Sequence, residues 1–174
     1  MSTVIASLHA GPAAGYDSPY DMLTSCHERV ERMLGLLERL DSHLARHGAD
    51  TNARSAATDL LRYFDLAAPH HHEDEERHVL PRLVASGHAR LAERLRTDHR
   101  RMDQLWRALR PRLVALAEGQ PPADGLVDLL TFTTLYRTHI RAEEDHAYPL
   151  SQPGLDATAL QQMGEEMARR RGVR

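Results

Sequence analysis

The chain has 174 residues, of which 27% are charged and 5% aromatic, with a formal net charge of −3. That length suits one domain with a substantial core, and that charge excludes the basic surface of a nucleic-acid binder. A single cysteine beside 12 histidines excludes an internal disulfide framework and fits a reducing compartment.

Residues 1–16 carry Gly11, Pro12 and Gly15 among small residues and read as a flexible N-terminal tail. They contain no basic region followed by a long apolar run, so no signal peptide is expected. No stretch of the chain approaches the roughly 18–20 apolar residues of a membrane span, so no membrane association is expected and the expected location is the cytoplasm. Residues 17–174 read as one helical domain. Ser18-Pro19 has the form of a helix start, with Ser at the cap and Pro at the first position. Leu23, Val30, Leu34, Leu37, Leu40 and Leu44 keep a helical period up to Gly48, a natural stop.

A second helix is expected from Thr51 to Ser86, with Gly87 behind it. Pro69 should kink or interrupt it and Pro81 bend its last turn. A third should span Ala89 to Glu118, with Gly119 after it. A fourth should open at Pro122 and end at Pro149. Asp156 can cap a short fifth helix, Ala157 to Arg171. With no convincing strand, the expected fold is all-α: an up-down-up-down four-helix bundle with a short C-terminal fifth helix.

Two segments repeat. His71, Glu75, Glu76, His78 and Pro81 recur, 68 residues later, as His139, Glu143, Glu144, His146 and Pro149. Positions i, i+4 and i+7 share one helical face, so His71, Glu75 and His78 form one stripe and His139, Glu143 and His146 another. The other two long helices carry His27 with Glu31 and His99 with Asp103, again four apart. Burying unpartnered carboxylates costs several kcal/mol each. A pair of cations would offset that cost and satisfy the imidazoles. Mixed nitrogen and oxygen donors without thiolates suit iron, then manganese, with zinc less favoured.

These residues resemble the hemerythrin-like, HHE cation-binding family. The likeness runs from His27 to Pro149 and is strongest in His71-His72-Glu73-Asp74-Glu75-Glu76 ahead of Leu80-Pro81, and in His139-Ile140 with Glu143-Glu144 ahead of Pro149. The resemblance implies two iron ions held by His27, His71, His99 and His139, with Glu75 and Glu143 bridging, and O2, NO or peroxide as the small ligand. Oxygen-carrying relatives have a second histidine where this chain has Asp103, which argues against reversible O2 carriage. Glu144 would fit the carriers' longer spacing on the last helix, but Glu143 pairs with Glu75 by the repeat.

Glu75-x-x-His78 and Glu143-x-x-His146 also match the ferritin-like di-iron pattern, in which Glu31 and Asp103 would face inward. His78, His146, Glu31 and Asp103 are therefore expected as additional ligands or as hydrogen-bond partners of the ligands. Cys26 reads as a small buried residue, and Tyr63, Tyr136 and Tyr148 as aromatics able to tune an iron site. The expectation is a di-iron protein that senses or scavenges small ligands or handles iron. The alternatives are a di-iron peroxidase, ferroxidase or iron–sulfur-site repair enzyme, and a metal-free helical interaction module. A homodimer is left open.

Overall fold

The computed structural model describes residues 15–120, 122 and 125–173. All regular structure among them is helical. Helix α1 is Pro19–His47. Helix α2 (residues 51–85) runs unbroken from Asp50, whose side chain accepts from the Ala53 amide at 2.9 Å. Helix α3 is Ala89–Ala117 and helix α4 covers residues 129–151. Helix α5, Ala157–Arg170, starts at Asp156, which accepts from the Ala159 amide at 2.8 Å. The glycine stops are as expected: Gly48, Gly87 and Gly119 all take positive φ. Ser18 precedes α1 without a side-chain cap bond.

The fourth helix departs from expectation at both ends. It begins at Leu129 rather than Pro122, because Gly125 and Asp128 adopt φ of 65° and 62°, which no right-handed helix passes through. It then continues past Pro149 to Ser151.

Wide π-turns make that continuation possible. They occupy Tyr63–Ala67 and Glu75–Val79 in α2, and Glu143–Ala147 in α4. In each, an amide reaches back five residues: Ala68 to Tyr63, Leu80 to Glu75, Tyr148 to Glu143. Pro69, Pro81 and Pro149 each stand two residues past such a turn. A proline ring collides with the carbonyl four residues back. Here that carbonyl lies in the widened turn, so the helices absorb their prolines without breaking.

Each of the first four helices crosses one apolar cluster, a polar layer and a second apolar cluster. In α1 the order is Leu23, His27, then Leu34 and Leu37; in α3 it is Leu95, His99, then Leu109 and Leu113. In α2 and α4 it reverses: Leu60 and Phe64 precede His71, Glu75 and Leu80, while Phe132 precedes His139, Glu143 and Ala147. Leu34, Leu37, Leu80 and Phe132 are fully buried, each contributing about 1.5–3 kcal/mol by the usual area scaling. The polar layer is thus enclosed by oil on both sides.

Helix α5 closes the end holding Leu23 and Leu80. Arg170 and Arg171 both bind the fully buried Asp74, Arg171 Nη2 at 2.5 Å from Asp74 Oδ2. Removing either charge partner from such a group is costly. Gly164 lies against the chain just ahead of α1: a Cβ there would collide with the Tyr16 carbonyl. The expected tail of residues 1–16 lies outside the described residues as far as residue 14; Tyr16 is half-buried and has the Arg171 guanidinium 6.0 Å from its ring centre. Arg82 in α2 donates to the carbonyls of Ser151 and Pro153 at 2.5 and 2.8 Å, capping the end of α4.

Candidate metal centre

The polar layer gathers His27 from α1, His71 and Glu75 from α2, His99 from α3, and His139 and Glu143 from α4. All six are buried, with relative exposures of 0–4%. Their donor atoms fall into two groups, His27, His71, Glu75 and Glu143, and Glu75, His99, His139 and Glu143, each within 4.8 Å across. The two glutamates belong to both groups.

All four imidazoles turn Nε2 inward. His27 Nε2 lies 3.3 Å from Glu143 Oε2, and His71 Nε2 lies 3.2 Å from Glu75 Oε1. His99 Nε2 is 3.3 Å from Glu75 Oε2, and His139 Nε2 is 2.9 Å from Glu143 Oε1. His99 and His139 present Nε2 to each other at 3.0 Å. Several of these approaches are close without the alignment of a hydrogen bond. Glu75 Oε2, both Glu143 oxygens and His71 Nδ1 remain buried with no hydrogen-bond partner. Unsatisfied buried oxygens are costly, and a cation between them would satisfy the three glutamate oxygens. The donors, four imidazole nitrogens and two carboxylates, suit that role.

The electrostatics agree. Burial alone would lower the imidazole pKa values, but Glu143 and Glu75 prevail and push His27 up to about 9 and His99 up to about 11. His71 and His139 are raised against burial by Glu75 and Glu143 respectively. Burial would likewise raise Glu75 and Glu143, yet the surrounding imidazoles hold both below the usual carboxylate range. The carboxylates therefore hold positive charge in the layer, a role metal ions would take over from protons.

The outward Nδ1 atoms of three histidines meet carboxylates. His27 pairs with Glu144 at 2.9 Å, His99 with Glu76 at 3.0 Å and His139 with Asp98 at 3.4 Å. Each Glu-Glu doublet divides its work: Glu75 and Glu143 face the layer, while Glu76 and Glu144 reach the histidine of a neighbouring helix. The Cys26 thiol lies beside the His71 ring without completing a bond to its Nδ1. Cys26 is half-buried rather than buried. The buried Tyr148 contributes a phenol whose oxygen lies 2.5 Å from Glu75 Oε1 and 3.2 Å from His27 Nε2. Burial, then Glu75 and Glu143, push that phenol well above its usual range.

The four additional candidates lie elsewhere. His78 bonds Glu166 of α5 at 2.6 Å, because the π-turn starting at Glu75 carries it round the helix away from the layer. His146, in the equivalent turn, is exposed. Glu31 is exposed and receives a bond from Arg137 at 3.1 Å; Asp103 is exposed and pairs with Arg107 at 2.8 Å. The ferritin-like E-x-x-H arrangement is therefore not assembled. Glu143, not Glu144, faces His139. Missed in the sequence were the outer acids Glu76, Glu144 and Asp98, although the doublets and Asp98-His99 were signals for them. His72 stacks on His99 with ring centres 4.2 Å apart, and beside it Phe64, Ala68, Met102, Trp106 and Tyr136 line a cavity of about 120 Å³.

A family model, the hemerythrin HHE cation-binding domain, matches residues 18–151. The chain belongs to this hemerythrin HHE family. It is also 31% identical, over 163 residues, to an uncharacterized protein of Haemophilus influenzae, covering 92% of this chain and 94% of that one. The matched region of this HHE protein holds every residue of the buried layer, and only α5 lies beyond it. No helix among the described residues is long and apolar enough to cross a membrane.

Proposed function

We propose that the protein is a non-haem di-iron protein that binds O2, NO or peroxide for sensing, scavenging or iron handling. The observation that carries this reading is the pair of four-donor groups sharing Glu75 and Glu143, with three of their buried carboxylate oxygens unpaired. His27 and His71 would hold one ion and His99 and His139 the other, with both glutamates spanning the two. Nitrogen and oxygen donors without thiolate favour iron over zinc. Bound iron would supply redox chemistry and open positions for a small ligand.

The chain's own groups do the rest. Glu144, Glu76 and Asp98 fix the rotation and tautomer of His27, His99 and His139. The apolar clusters above and below exclude bulk water. Tyr148 donates a hydrogen bond from its hydroxyl to Glu75 Oε1, inside the layer. The cavity beside His72 is large enough for a diatomic molecule or peroxide. The alternating order in which the four helices cross the apolar clusters supports an up-down-up-down bundle.

Metal analysis and an optical spectrum of reconstituted protein test the proposal. About two irons per chain, with near-ultraviolet bands that shift when azide is added, are expected. One zinc, or no metal with unaltered folding, overturns it.

A further inference from the structure

The 68-residue repeat makes the two halves of the centre nearly equivalent: His71 answers to His139, Glu75 to Glu143 and Glu76 to Glu144. Several buried positions differ between the halves, and one of them touches the centre. Leu80 and Tyr148 correspond, and each closes its π-turn by donating its amide to the inward glutamate's carbonyl. Leu80 only fills the apolar cluster. Tyr148 instead brings an oxygen to the donor atoms on the His27 side, and its ring lies parallel to His27 with centres 5.6 Å apart. None of the hydrogen bonds of His99 or His139 comes from a phenol.

The spacing is that of a shared coordination sphere. Donors about 2.0–2.2 Å from one ion stand roughly 3 Å apart when they subtend a right angle. Tyr148 Oη is 3.2 Å from His27 Nε2, and His27 Nε2 is 3.3 Å from Glu143 Oε2. His71 Nε2 is 3.2 Å from Glu75 Oε1, which in turn is 2.5 Å from Tyr148 Oη. The phenol oxygen is thus seated among the donors, and both of its polar contacts are to members of that group.

We propose that Tyr148 is a fifth protein ligand to the ion on the His27–His71 side, and that the two metal positions are therefore unequal. The inference rests on the di-iron reading above. Coordination replaces the phenolic proton, which leaves to solvent, and no electron moves in that step. The crowded side then has five protein donors and the His99–His139 side four. The exogenous ligand takes the less crowded ion, on the side where His72 separates His99 from the small cavity.

The test is visible absorption and resonance Raman spectroscopy of the full chain loaded with ferric iron. A ferric phenolate gives a visible charge-transfer band and enhanced tyrosine ring vibrations. Wild type is expected to show both. Tyr148→Phe is expected to lose both completely while keeping its helical circular dichroism and about two irons per chain. If that variant does not fold, removal of the other four tyrosines one at a time, as Tyr16→Phe, Tyr20→Phe, Tyr63→Phe and Tyr136→Phe, decides the matter. Retention of the band in all four assigns it to Tyr148, and its loss in any one overturns the proposal. Persistence of the band in a folded Tyr148→Phe overturns it as well. Two irons in wild type without a phenolate band sink this inference and leave the di-iron reading standing. No iron uptake by wild type ends both.

Discussion

His27 donates from Nδ1 to Glu144 at 2.9 Å across the gap between α1 and α4, although Glu144 is the immediate neighbour of the inward Glu143. Glu76 does the same for His99 from α2 to α3 at 3.0 Å. Both acids are partly exposed, so their role is to aim a ring rather than to fill the core. Glu144→Gln and Glu76→Gln should each fold normally and weaken metal binding by about 10- to 100-fold. A competition titration against a chromophoric chelator reads this directly; unchanged affinity would remove the positioning role.

Removing an inward histidine should be more severe. His71→Ala and His139→Ala are each expected to hold about one iron per chain or none. In wild type, free metal at about 100 times its dissociation constant should add about 2.7 kcal/mol to stability. A chelator should therefore lower the melting temperature of wild type clearly and that of either variant little. Equal shifts in all three proteins would separate the histidines from the metal.

Glu166 gives a pH dependence of known sign. Burial opposes its ionisation, but Arg170 and His78 hold its pKa down at about 2. A depressed carboxylate stabilises the folded state above its unfolded pKa and loses that contribution as pH falls through the folded value. The contribution of Glu166 should accordingly be full above about pH 5 and fade toward pH 2. Urea midpoints of wild type and Glu166→Gln should converge across that range. A gap that stays constant with pH would contradict the assignment.

Gly164 is required for space rather than for φ. Its backbone lies so close to the Tyr16 carbonyl that any side chain must displace the segment ahead of α1. Gly164→Ala should cost about 1–3 kcal/mol despite alanine's better helix propensity. A neutral or stabilising effect in urea denaturation would show that Tyr16 yields freely.

Most of the architecture was legible because it depends on local signals. Periodic leucines, Gly48, Gly87 and Gly119, and the cap at Asp156 place four of the five helices within a residue or two. The repeat and the i, i+4 pairs led to all six buried donors. The misplacing of His78 and His146 has one physical origin. A stripe drawn at 3.6 residues per turn puts His78 under Glu75 and His146 under Glu143, but the ladder widens at those glutamates. No composition rule announces a π-turn in advance. The opening of α4 was misplaced because a proline can start a helix only if the residues behind it stay in the right-handed region, which Gly125 and Asp128 do not. Tyr148 could be named but not ranked, since its value lies in facing Glu75 and His27 from another helix.

The widened turns also set the tolerance of these helices to changes in length. Each holds one residue more than a regular turn would. Deleting a single residue from Glu144–Ala147 would let α4 close up as an ordinary helix and leave everything beyond it on the face it now occupies. Tyr148 would stay beside His27, and His139 and Glu143, upstream, would stay in place. The same deletion elsewhere in a long helix would displace whole faces of the core. Glu143–Ala147 is therefore a point where the loss of one residue can be absorbed while the bundle and the centre around it are preserved.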